Sequence, residues 1–270
     1  MNIYVSVTSI YDNQHLLVQT LRSIAKQTYR PTKCYIFLST EPYLLDKGFT
    51  NKKILDELHI FLSIHDSLFV VKWVKNTGPY RKLLPLLKEK WNEDCLILTI
   101  DDDIVYHPSM IASYIDDYNK YKCCIAYRGY TPVIKDDMFK DITYAERGPP
   151  EMRHIYNFAN SGVGTVTHPS FFHNTGDLVF NDTLINKLCK TTDDIWYYFC
   201  RIANRIDTVV INKPQLFQFN DVRRDRGLFF TFNCDSKETN KIHNGKSMCK
   251  NSVNMIKTAK AFRDAGHIDT

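Results

Sequence analysis

Strand and helix patterns alternate along the first hundred residues, and this alternation limits the possible folds more than any other feature of the sequence. β-Branched and apolar runs occupy residues 3–10, 34–38 and 69–74, and Leu and Ile recur at helical spacing between them. The order βαβαβ predicts a mostly parallel sheet with helices on both faces. In such sheets ligands bind beyond the carboxyl ends of the strands, so the residues at those ends are the first candidates for function.

The fourth predicted strand, Cys95–Ile100, is the most apolar strand candidate in the chain and ends in Asp101, Asp102 and Asp103. Extended backbone directs residues 101 and 103 to the same side, so their carboxylates can converge on one hard cation. Oxygen ligands suit Mg²⁺ or Mn²⁺, and such an ion also binds phosphate groups. Three acids can also form a solvated turn or a helix cap, but their place at the end of a buried strand favours the metal site.

The second half of the chain has a weaker pattern. Further helices and one strand are predicted by apolar spacing at residues 83–87, 110–118, 195–202 and 208–211. The stretch that leads up to Thr192 is rich in turn residues, and the chain is polar from about residue 221 onward. We therefore expect a single α/β domain with a second, looser lobe that shapes the substrate site.

Composition excludes several classes of protein. With 44% hydrophobic and 24% charged residues, the chain has the profile of a folded globular protein. The net charge of +5 is dispersed, which does not favour a nucleic-acid partner. The 8 cysteines form no CxxC pair and no zinc spacing, so we expect a reducing, cytoplasmic environment. No apolar run approaches the ~20 residues of a membrane span, so no transmembrane segment is predicted.

Several separated segments, taken in order, resemble one known family. They are Val5–Tyr11 at the start, Ser23–Pro31 at the end of the first helix, the acids after the fourth strand, and Thr192–Trp196. This order resembles the GT-A glycosyltransferases of the family-2 type, and Thr192–Trp196 is similar to the acidic motif of their inverting members. The resemblance covers most of residues 3–200 and is poor beyond residue 220. It implies an α/β fold of the GT-A (Rossmann-like) type, with a mostly parallel central sheet flanked by helices and a smaller acceptor-binding lobe.

The resemblance also implies a domain plan and an activity. Residues 1–270 would form a single GT-A type domain, with a nucleotide-sugar-binding half at 1–106, an acceptor and catalytic half at 107–220, and a C-terminal tail at 221–270. The implied enzyme is a metal-dependent, inverting, hexosyltransferase-like glycosyltransferase with Mn²⁺ or Mg²⁺ as cofactor. It would move a sugar from a nucleotide diphosphate sugar, with a UDP-sugar expected, to a hydroxyl group on a glycan or glycoconjugate acceptor.

Residues after the first two strands are the implied contacts to the base and ribose. By position in the resemblance these are Thr8, Ser9 and Tyr11, together with Ser39. An acid that is usual directly after the second strand is missing here, so Ser39 or Glu41 would take its place. Aromatic residues at strand ends often pack on the next helix, and this remains an equal alternative for Tyr11.

Two cations precede the third helix and are candidate diphosphate contacts. Arg81 and Lys82 follow a Gly-Pro turn within Asn76–Lys82, where backbone amides and positive charge together suit an anion. A solvated first helical turn is the alternative, but cations are disfavoured at that end of a helix, so their placement favours an anionic ligand.

The resemblance assigns the acids of the fourth strand to both the nucleotide sugar and the metal. Asp101 and Asp102 would contact the nucleotide sugar, whereas Asp101, Asp103 and His243 would bind the metal. The segment around His243 matches the family poorly, and a solvent-exposed loop histidine is the plainer interpretation of this residue.

The acceptor side centres on Asp193 and Asp194. In the resembled enzymes the second acid deprotonates the acceptor hydroxyl, which makes Asp194 the candidate base and Asp193 its support. Alternatively, both acids only stabilise a helix N-terminus. Upstream, Gly162 and Gly164 resemble a loop beneath the acceptor and would permit close approach, although a strand with a bulge fits equally well. Trp196 could stack on a sugar, but its helical neighbours favour a core position.

Two other functions compete with glycosyl transfer. A sugar nucleotidyltransferase shares the α/β layout, but it would normally show a Gly-rich basic loop where this chain has Ser9-Ile-Tyr-Asp-Asn13. A non-catalytic glycan-binding or assembly protein could retain the fold without turnover, since fold does not guarantee function. The retained acids at 101–103 and 193–194 favour the enzyme.

Overall fold

The computed structural model describes residues 1–132, 147–148, 152–220, 227–233, 241–243 and 246–268. The chain divides into two compact units, each built from three separate segments. The first unit comprises Met1–Arg128, Asn160–Ser170 and Ile211–Asn220. The second unit comprises Gly129–Ala159, Phe171–Val210 and Asp221–Thr270.

The described residues contain fifteen strands and seven α-helices. The strands are β1 Asn2–Thr8, β2 Lys33–Leu38, β3 Phe69–Trp73, β4 Cys95–Ile100, β5 Ile104–Tyr106, β6 Cys124–Ala126, β7 Gly129–Pro132, β8 Arg147–Gly148, β9 Arg153–His154, β10 Phe158–Ala159, β11 Thr165–Thr167, β12 Thr208–Val210, β13 Phe217–Phe219, β14 Lys241–His243 and β15 Lys246–Met248. The helices are α1 Gln14–Ala25, α2 Asp56–Ile64, α3 Leu84–Glu89, α4 Met110–Tyr121, α5 Asp182–Leu188, α6 Asp193–Ala203 and α7 Lys250–Asp264.

The first unit is built on a mixed sheet in which six strands run in the order β3-β2-β1-β4-β11-β6. β3, β2, β1 and β4 are mutually parallel, whereas β11 is antiparallel to both β4 and β6. Helices flank the sheet, so the predicted α/β class and mostly parallel central sheet are confirmed. Because the four parallel strands point the same way, the residues that follow them leave the sheet at one edge.

Burial explains why the sequence forms these strands. All six residues of β4 are buried, as are five of the seven in β1, and strands covered on both faces read as continuous apolar runs. Val7 is paired with Ile100, and Thr8 with Phe37. This register brings the loop after β1 beside the acids after β4 and beside the loop after β2.

The second unit combines small sheets with helices. Its strands form the antiparallel set β10-β7-β8, the pair β12-β9 and the hairpin β14-β15. α6 packs on α7 through Phe262, whose ring centroid lies 5.4 Å from that of Trp196 and 5.6 Å from that of Phe199.

The helix α7 lies where the sequence pattern indicated only a polar tail. Its buried residues include Met255, Ala259 and Phe262, which recur at helical spacing. Their apolar stripe is narrow and most other positions are polar, so the periodicity is weak in the sequence. Among the described residues, no helix combines the length and apolar character needed to cross a membrane.

Candidate active site

The loop after β1 brings its side chains to the acids after β4. The Ser9 hydroxyl donates to the Asp102 carboxylate, and the Thr8 hydroxyl donates to the carbonyl of Phe37 at 2.8 Å. Tyr11 is 40% exposed, with its ring edge-on to that of Phe49 at 5.5 Å. Ser9 and Thr8 therefore fix this loop, while Tyr11 presents part of an aromatic ring to solvent.

The first acid after β4 is paired with a buried cation. Lys82 Nζ lies 2.7 Å from Asp101 Oδ1 and 3.0 Å from the Ser161 hydroxyl. The Lys82 side chain is only 7% exposed, whereas that of Asp101 is 33% exposed. Tyr106 accepts a hydrogen bond of 3.2 Å from the backbone N–H of Asp101, which holds the start of this acidic turn. Lys82 thus joins the loop after β3 to the acids and to the segment before β11.

The other two acids have raised pKa values. Burial raises the pKa of Asp102 to about 7, and repulsion from Asp103 adds to the shift, while the bond from Ser9 opposes it. Burial and the charge of Asp101 raise the pKa of Asp103 to about 6, and Lys82 partly offsets this. Each shift shows that the ionised form is short of compensating positive charge. An added positive charge beside these carboxylates would favour their ionised forms.

A divalent cation fits this donor chemistry, since carboxylate oxygens are hard ligands. Within the part of the chain that the structure describes, no group of three or more His, Cys, Asp or Glu side chains could hold a metal. A cation at Asp101 and Asp103 would therefore need further oxygen ligands from water or from a bound diphosphate. His243 lies in β14, but its side chain falls outside the described part of the chain.

Two other candidate residues have buried structural contacts. Ser39 is fully buried, and its hydroxyl accepts the backbone N–H of Glu41 at 3.1 Å. Arg81 is also buried and lies 2.9 Å from Asp46 through Nη2. Burial lowers the pKa of the Arg81 guanidinium, and Asp46 counters this. The structure thus places neighbouring cations differently, with Arg81 bonded to Asp46 and Lys82 bonded to Asp101.

Asp46 is a polar centre that the sequence analysis did not single out. It lies eight residues beyond the end of β2 at Leu38, so a search for an acid directly after the strand passes over it. Its carboxylate accepts the backbone N–H groups of Tyr11 at 3.1 Å and of Gly48 at 3.0 Å. The one local signal in the sequence is Gly48, two residues later. Its φ of +76° is a conformation that favours glycine, and it lets the backbone turn so that its N–H reaches Asp46.

The glycine loop before β11 closes tightly on the acids. Asn160 caps the turn Ser161–Val163 by accepting the N–H of Gly162 at 3.1 Å. A Cβ at Gly162 would lie 3.3 Å from Asp101 Oδ2, so a side chain there would crowd the acid cluster. Gly164 has a φ of +112°, and its carbonyl accepts the Tyr114 hydroxyl at 2.8 Å. Gly162 thus lies close to Asp101, and an irregular turn precedes β11.

In the second unit, Asp193 and Asp194 form the first turn of α6. Asp193 is buried and Asp194 is partly exposed. Trp196 is fully buried, and its indole N–H donates to the carbonyl of Val179 at 2.9 Å, which confirms the core position.

A neutral hydrogen-bond network holds the start of α6. The Thr191 hydroxyl donates to Asn233 Oδ1 at 2.6 Å, and the Thr192 hydroxyl donates to Asn251 Oδ1 at 3.0 Å. Asn254 Nδ2 in turn donates to the Thr192 hydroxyl at 3.3 Å. Asn251 and Asn254 belong to α7, so the residues before Asp193 are fixed by two separate segments of this unit.

Comparison with known proteins identifies the fold. No protein-family model matches the sequence, and no curated protein matches it. Among solved structures, residues 1–349 of S. aureus TarS, a GT-A glycosyltransferase, align with a TM-score of 0.50 at 14% identity, over 80% of this chain and 60% of that chain. The fold is GT-A-like. The same TarS fragment in complex with UDP aligns with a TM-score of 0.50 at 13% identity, over 80% of this chain and 60% of that chain.

A second GT-A-like neighbour is 4-diphosphocytidyl-2C-methyl-D-erythritol synthase from Anaerococcus prevotii DSM 20548. It aligns with a TM-score of 0.51 at 12% identity, over 82% of this chain and 91% of that chain. The chain spans about three fifths of the TarS fragment, with 60% of it covered. At these identities the likeness concerns the GT-A-like fold itself.

Proposed function

We propose that this chain is a metal-dependent, inverting glycosyltransferase that uses a nucleotide diphosphate sugar, with a UDP-sugar as the expected donor. The observation that carries the proposal is the contact of 2.7 Å between Lys82 and Asp101. It joins a buried cation to an acidic cluster at the carboxyl edge of the parallel strands. In α/β sheets ligands bind at this edge. A diphosphate would pair with Lys82, and its counter-ion would pair with the acids.

The donor would bind at the loops after β1, β3 and β4. Tyr11 offers a half-exposed ring for the base, and Ser9 and Thr8 lie on the same loop. The GT-A-like fold and the neighbouring structure that contains UDP support a uridine nucleotide. Lys82 supplies the positive charge for the phosphates, since its ammonium group lies 2.7 Å from Asp101 in the loop after β4.

The main electrostatic task of the reaction is to stabilise the departing diphosphate. Lys82 does this without moving a proton, because its ammonium group is already fixed by Asp101 and Ser161. A divalent cation held by Asp101 and Asp103 would add further positive charge against the leaving group. Burial raises the pKa of Asp103, and a divalent cation beside its carboxylate would favour the ionised form that binds a metal.

Asp194 is the proposed general base. It lies in the first turn of α6 and is partly exposed, so an acceptor hydroxyl could reach its carboxylate. Its carboxylate would take the proton of the acceptor hydroxyl as the oxygen attacks the anomeric carbon. A single in-line displacement inverts the configuration at that carbon. The acceptor is proposed to be a glycan or glycoconjugate.

The loop after β1 argues against a nucleotidyltransferase of the same fold. Residues Ser9–Asn13 contain no glycine, and the Ser9 hydroxyl is already bonded to Asp102. A row of free backbone amides for a triphosphate is therefore not provided there. A non-catalytic binding protein would share the donor site, so turnover separates it from an enzyme.

The test is a thermal-shift and calorimetric screen of nucleotides and nucleotide sugars, with and without MnCl₂, followed by an assay for sugar transfer or donor cleavage. A ligand present at about 100 times its Kd should stabilise the folded protein by about 2.7 kcal/mol. We expect UDP or a UDP-sugar to stabilise the chain only when Mn²⁺ is present. Failure of every nucleoside diphosphate to bind at millimolar concentration with Mn²⁺ would disprove the proposal. Binding without donor cleavage or transfer would indicate the non-catalytic protein.

A further inference from the structure

One buried carboxylate bonds to the loops that follow three neighbouring strands. Asp46 Oδ1 accepts the N–H groups of Tyr11 at 3.1 Å and Gly48 at 3.0 Å. Asp46 Oδ2 accepts Asn76 Nδ2 at 3.1 Å and Arg81 Nη2 at 2.9 Å. Tyr11 follows β1, Gly48 follows β2, and Asn76 and Arg81 follow β3. The carboxylate therefore has four donors from all three loops.

The Asp46–Arg81 ion pair in this cluster is buried, and its hydrogen bonds go to other groups of the protein. The side chains of Asp46 and Arg81 are each only 2% exposed. Arg81 also donates to the carbonyls of Gly78 at 3.3 Å and Ser9 at 3.4 Å, and its Nη1 has no hydrogen-bond partner among the described residues. A buried pair of this kind is costly to desolvate, so its retention points to a role in fixing geometry.

Fixing Arg81 also sets the direction of its neighbour. Arg81 and Lys82 lie in one 3₁₀ turn, Gly78–Lys82, where successive side chains diverge by about 120°. With Arg81 held by Asp46, Lys82 extends to Asp101 and Ser161. The Ser6 hydroxyl donates to the Lys82 carbonyl and holds the same turn against β1.

We propose that the Asp46–Arg81 pair is the positioning element of the nucleotide site. The pair sets the spacing between Tyr11 on the loop after β1 and Lys82 on the loop after β3, and neither member contacts the donor. This inference rests on the proposed function, in which Tyr11 and Lys82 contact the nucleotide sugar. It assigns Arg81 to the geometry of the site instead of to a direct phosphate contact.

The test measures UDP affinity by calorimetry in the presence of MnCl₂ for the full chain and for Asp46→Asn. The amide keeps the shape of the side chain but loses the charge and one acceptor atom, so the loops should separate. We expect the Kd for UDP to rise at least about tenfold, the low end of the effect of removing an orienting partner from a charged site. Arg81→Met should match this loss, and Arg81→Lys should restore part of the affinity because it keeps the charge.

Asp117→Asn is the matched control. Asp117 pairs with Lys213 at 2.7 Å in the same unit and accepts the Tyr127 hydroxyl at 2.7 Å, so these contacts lie outside the three loops. Its loss should lower the melting temperature while the Kd for UDP stays within about twofold of the wild-type value. A purely structural role for Asp46 predicts the same pattern for Asp46→Asn.

Two further measurements keep the test decisive if Asp46→Asn folds poorly. Asn76→Ala removes one donor to Asp46 and the 2.7 Å bond to the Glu41 carbonyl, so it should raise the Kd for UDP by a smaller factor. Hydrogen exchange should accelerate at the Tyr11 and Gly48 amides in each variant of the cluster, but not in Asp117→Asn. In transfer assays the donor KM should rise more than kcat falls.

The outcomes separate this inference from the proposed function. A wild-type chain that binds UDP, together with Asp46→Asn, Arg81→Met and Asn76→Ala variants of unchanged affinity, overturns the positioning role and leaves the proposed function standing. A wild-type chain that binds no nucleoside diphosphate overturns the proposed function and this inference with it. Loss of affinity only in the cluster variants supports both.

Discussion

The strand edge of the first unit and the start of α6 in the second unit both hold acids, but the hydrogen bonds of the two regions differ in charge. At the strand edge, Asp101 and Asp46 are held by the cations Lys82 and Arg81. At the start of α6, Thr191 and Thr192 form an uncharged network with the side chains of Asn233, Asn251 and Asn254. The first arrangement suits a multiply charged ligand, whereas the second fixes a helix end that carries a partly exposed carboxylate.

This difference separates two chemical tasks. Under the proposed function, the opposite charges at the strand edge would favour a diphosphate with its cation, and salt would weaken this effect at the exposed members. Neutral hydrogen bonds fix Thr191 and Thr192, the two residues directly before the helical turn that carries Asp194. We therefore expect substitutions in the first unit to change donor binding, and substitutions at the start of α6 to change transfer.

The largest expected effect is that of Asp194→Asn. Removal of a general base should lower kcat for transfer by about 10²- to 10⁴-fold, while the Kd for UDP stays unchanged. Initial rates and calorimetry on the same preparation measure both quantities. Asp193→Asn is the control for a change of charge in the same helical turn and should retain more activity. Normal transfer by Asp194→Asn would show that Asp194 is not the general base.

The next effect is on stability and tests whether α7 supports α6. Phe262→Ala removes a buried ring that contacts Trp196 and Phe199, which should cost about 3–5 kcal/mol of unfolding free energy. Chemical denaturation measures this loss. Phe262→Leu keeps most of the volume and should cost less than about 1.5 kcal/mol. Equal stability of the alanine variant and the wild type would contradict the packing of α7 in this core.

A smaller effect is expected for Asp103→Ala at the strand edge. The Kd for UDP measured with Mn²⁺ should rise about 10²-fold, as for the loss of one electrostatic partner in a charged site. Affinity measured without Mn²⁺ should change little, and the stimulation by the metal should disappear. A variant that keeps the full effect of Mn²⁺ would show that Asp103 is not a ligand and would weaken the contrast between the two regions.

The smallest effect is that of Thr192→Val, which removes one hydroxyl from the neutral network. Asn251 and Asn254 then lose a buried partner, and the unfolding free energy should fall by about 1–3 kcal/mol. The Kd for UDP should not change. Thr192→Ser keeps the hydroxyl and is the matched control. If Thr192→Val weakens UDP binding instead of stability, the division of tasks between the regions is wrong.

The sequence predicts the strand edge well because its signals are local. The apolar run of β4 and the acids at 101–103 adjoin in the chain, so the acids directly follow a buried strand. The extended backbone expected across the acids is wrong, because Asp102 and Asp103 form a turn. The 3.6-residue pattern likewise predicts α1 and α6. The resemblance predicts Ser9 near a ligand, the turn before the third helix predicts Lys82 there, and the structure brings both to the acids.

Other parts of the site depend on contacts between distant residues, which a local pattern does not reveal. Asp46 lies 35 residues from both Tyr11 and Arg81 in the sequence, and only the pairing of β1, β2 and β3 brings them together. The apolar residues of α7 are separated by Lys and Asn residues, which weakens the helical pattern. The burial of one face of α7 is therefore seen only in the structure, where it packs on α6. The burial of Ser39 is also not evident from the local pattern. The backbone N–H of Phe49, ten residues later, donates to the Ser39 carbonyl and covers this position.

The interleaved segments of the two units have a consequence for synthesis on the ribosome. β5, which begins directly after the three acids, pairs with β13, so Tyr106 meets Phe217 only after more than two hundred residues have been made. Contacts of such long range fold slowly and leave strand edges exposed in the meantime. The acidic turn therefore acquires the support of β13 only once residue 217 has been made, and a nascent chain stalled before that residue would lack it.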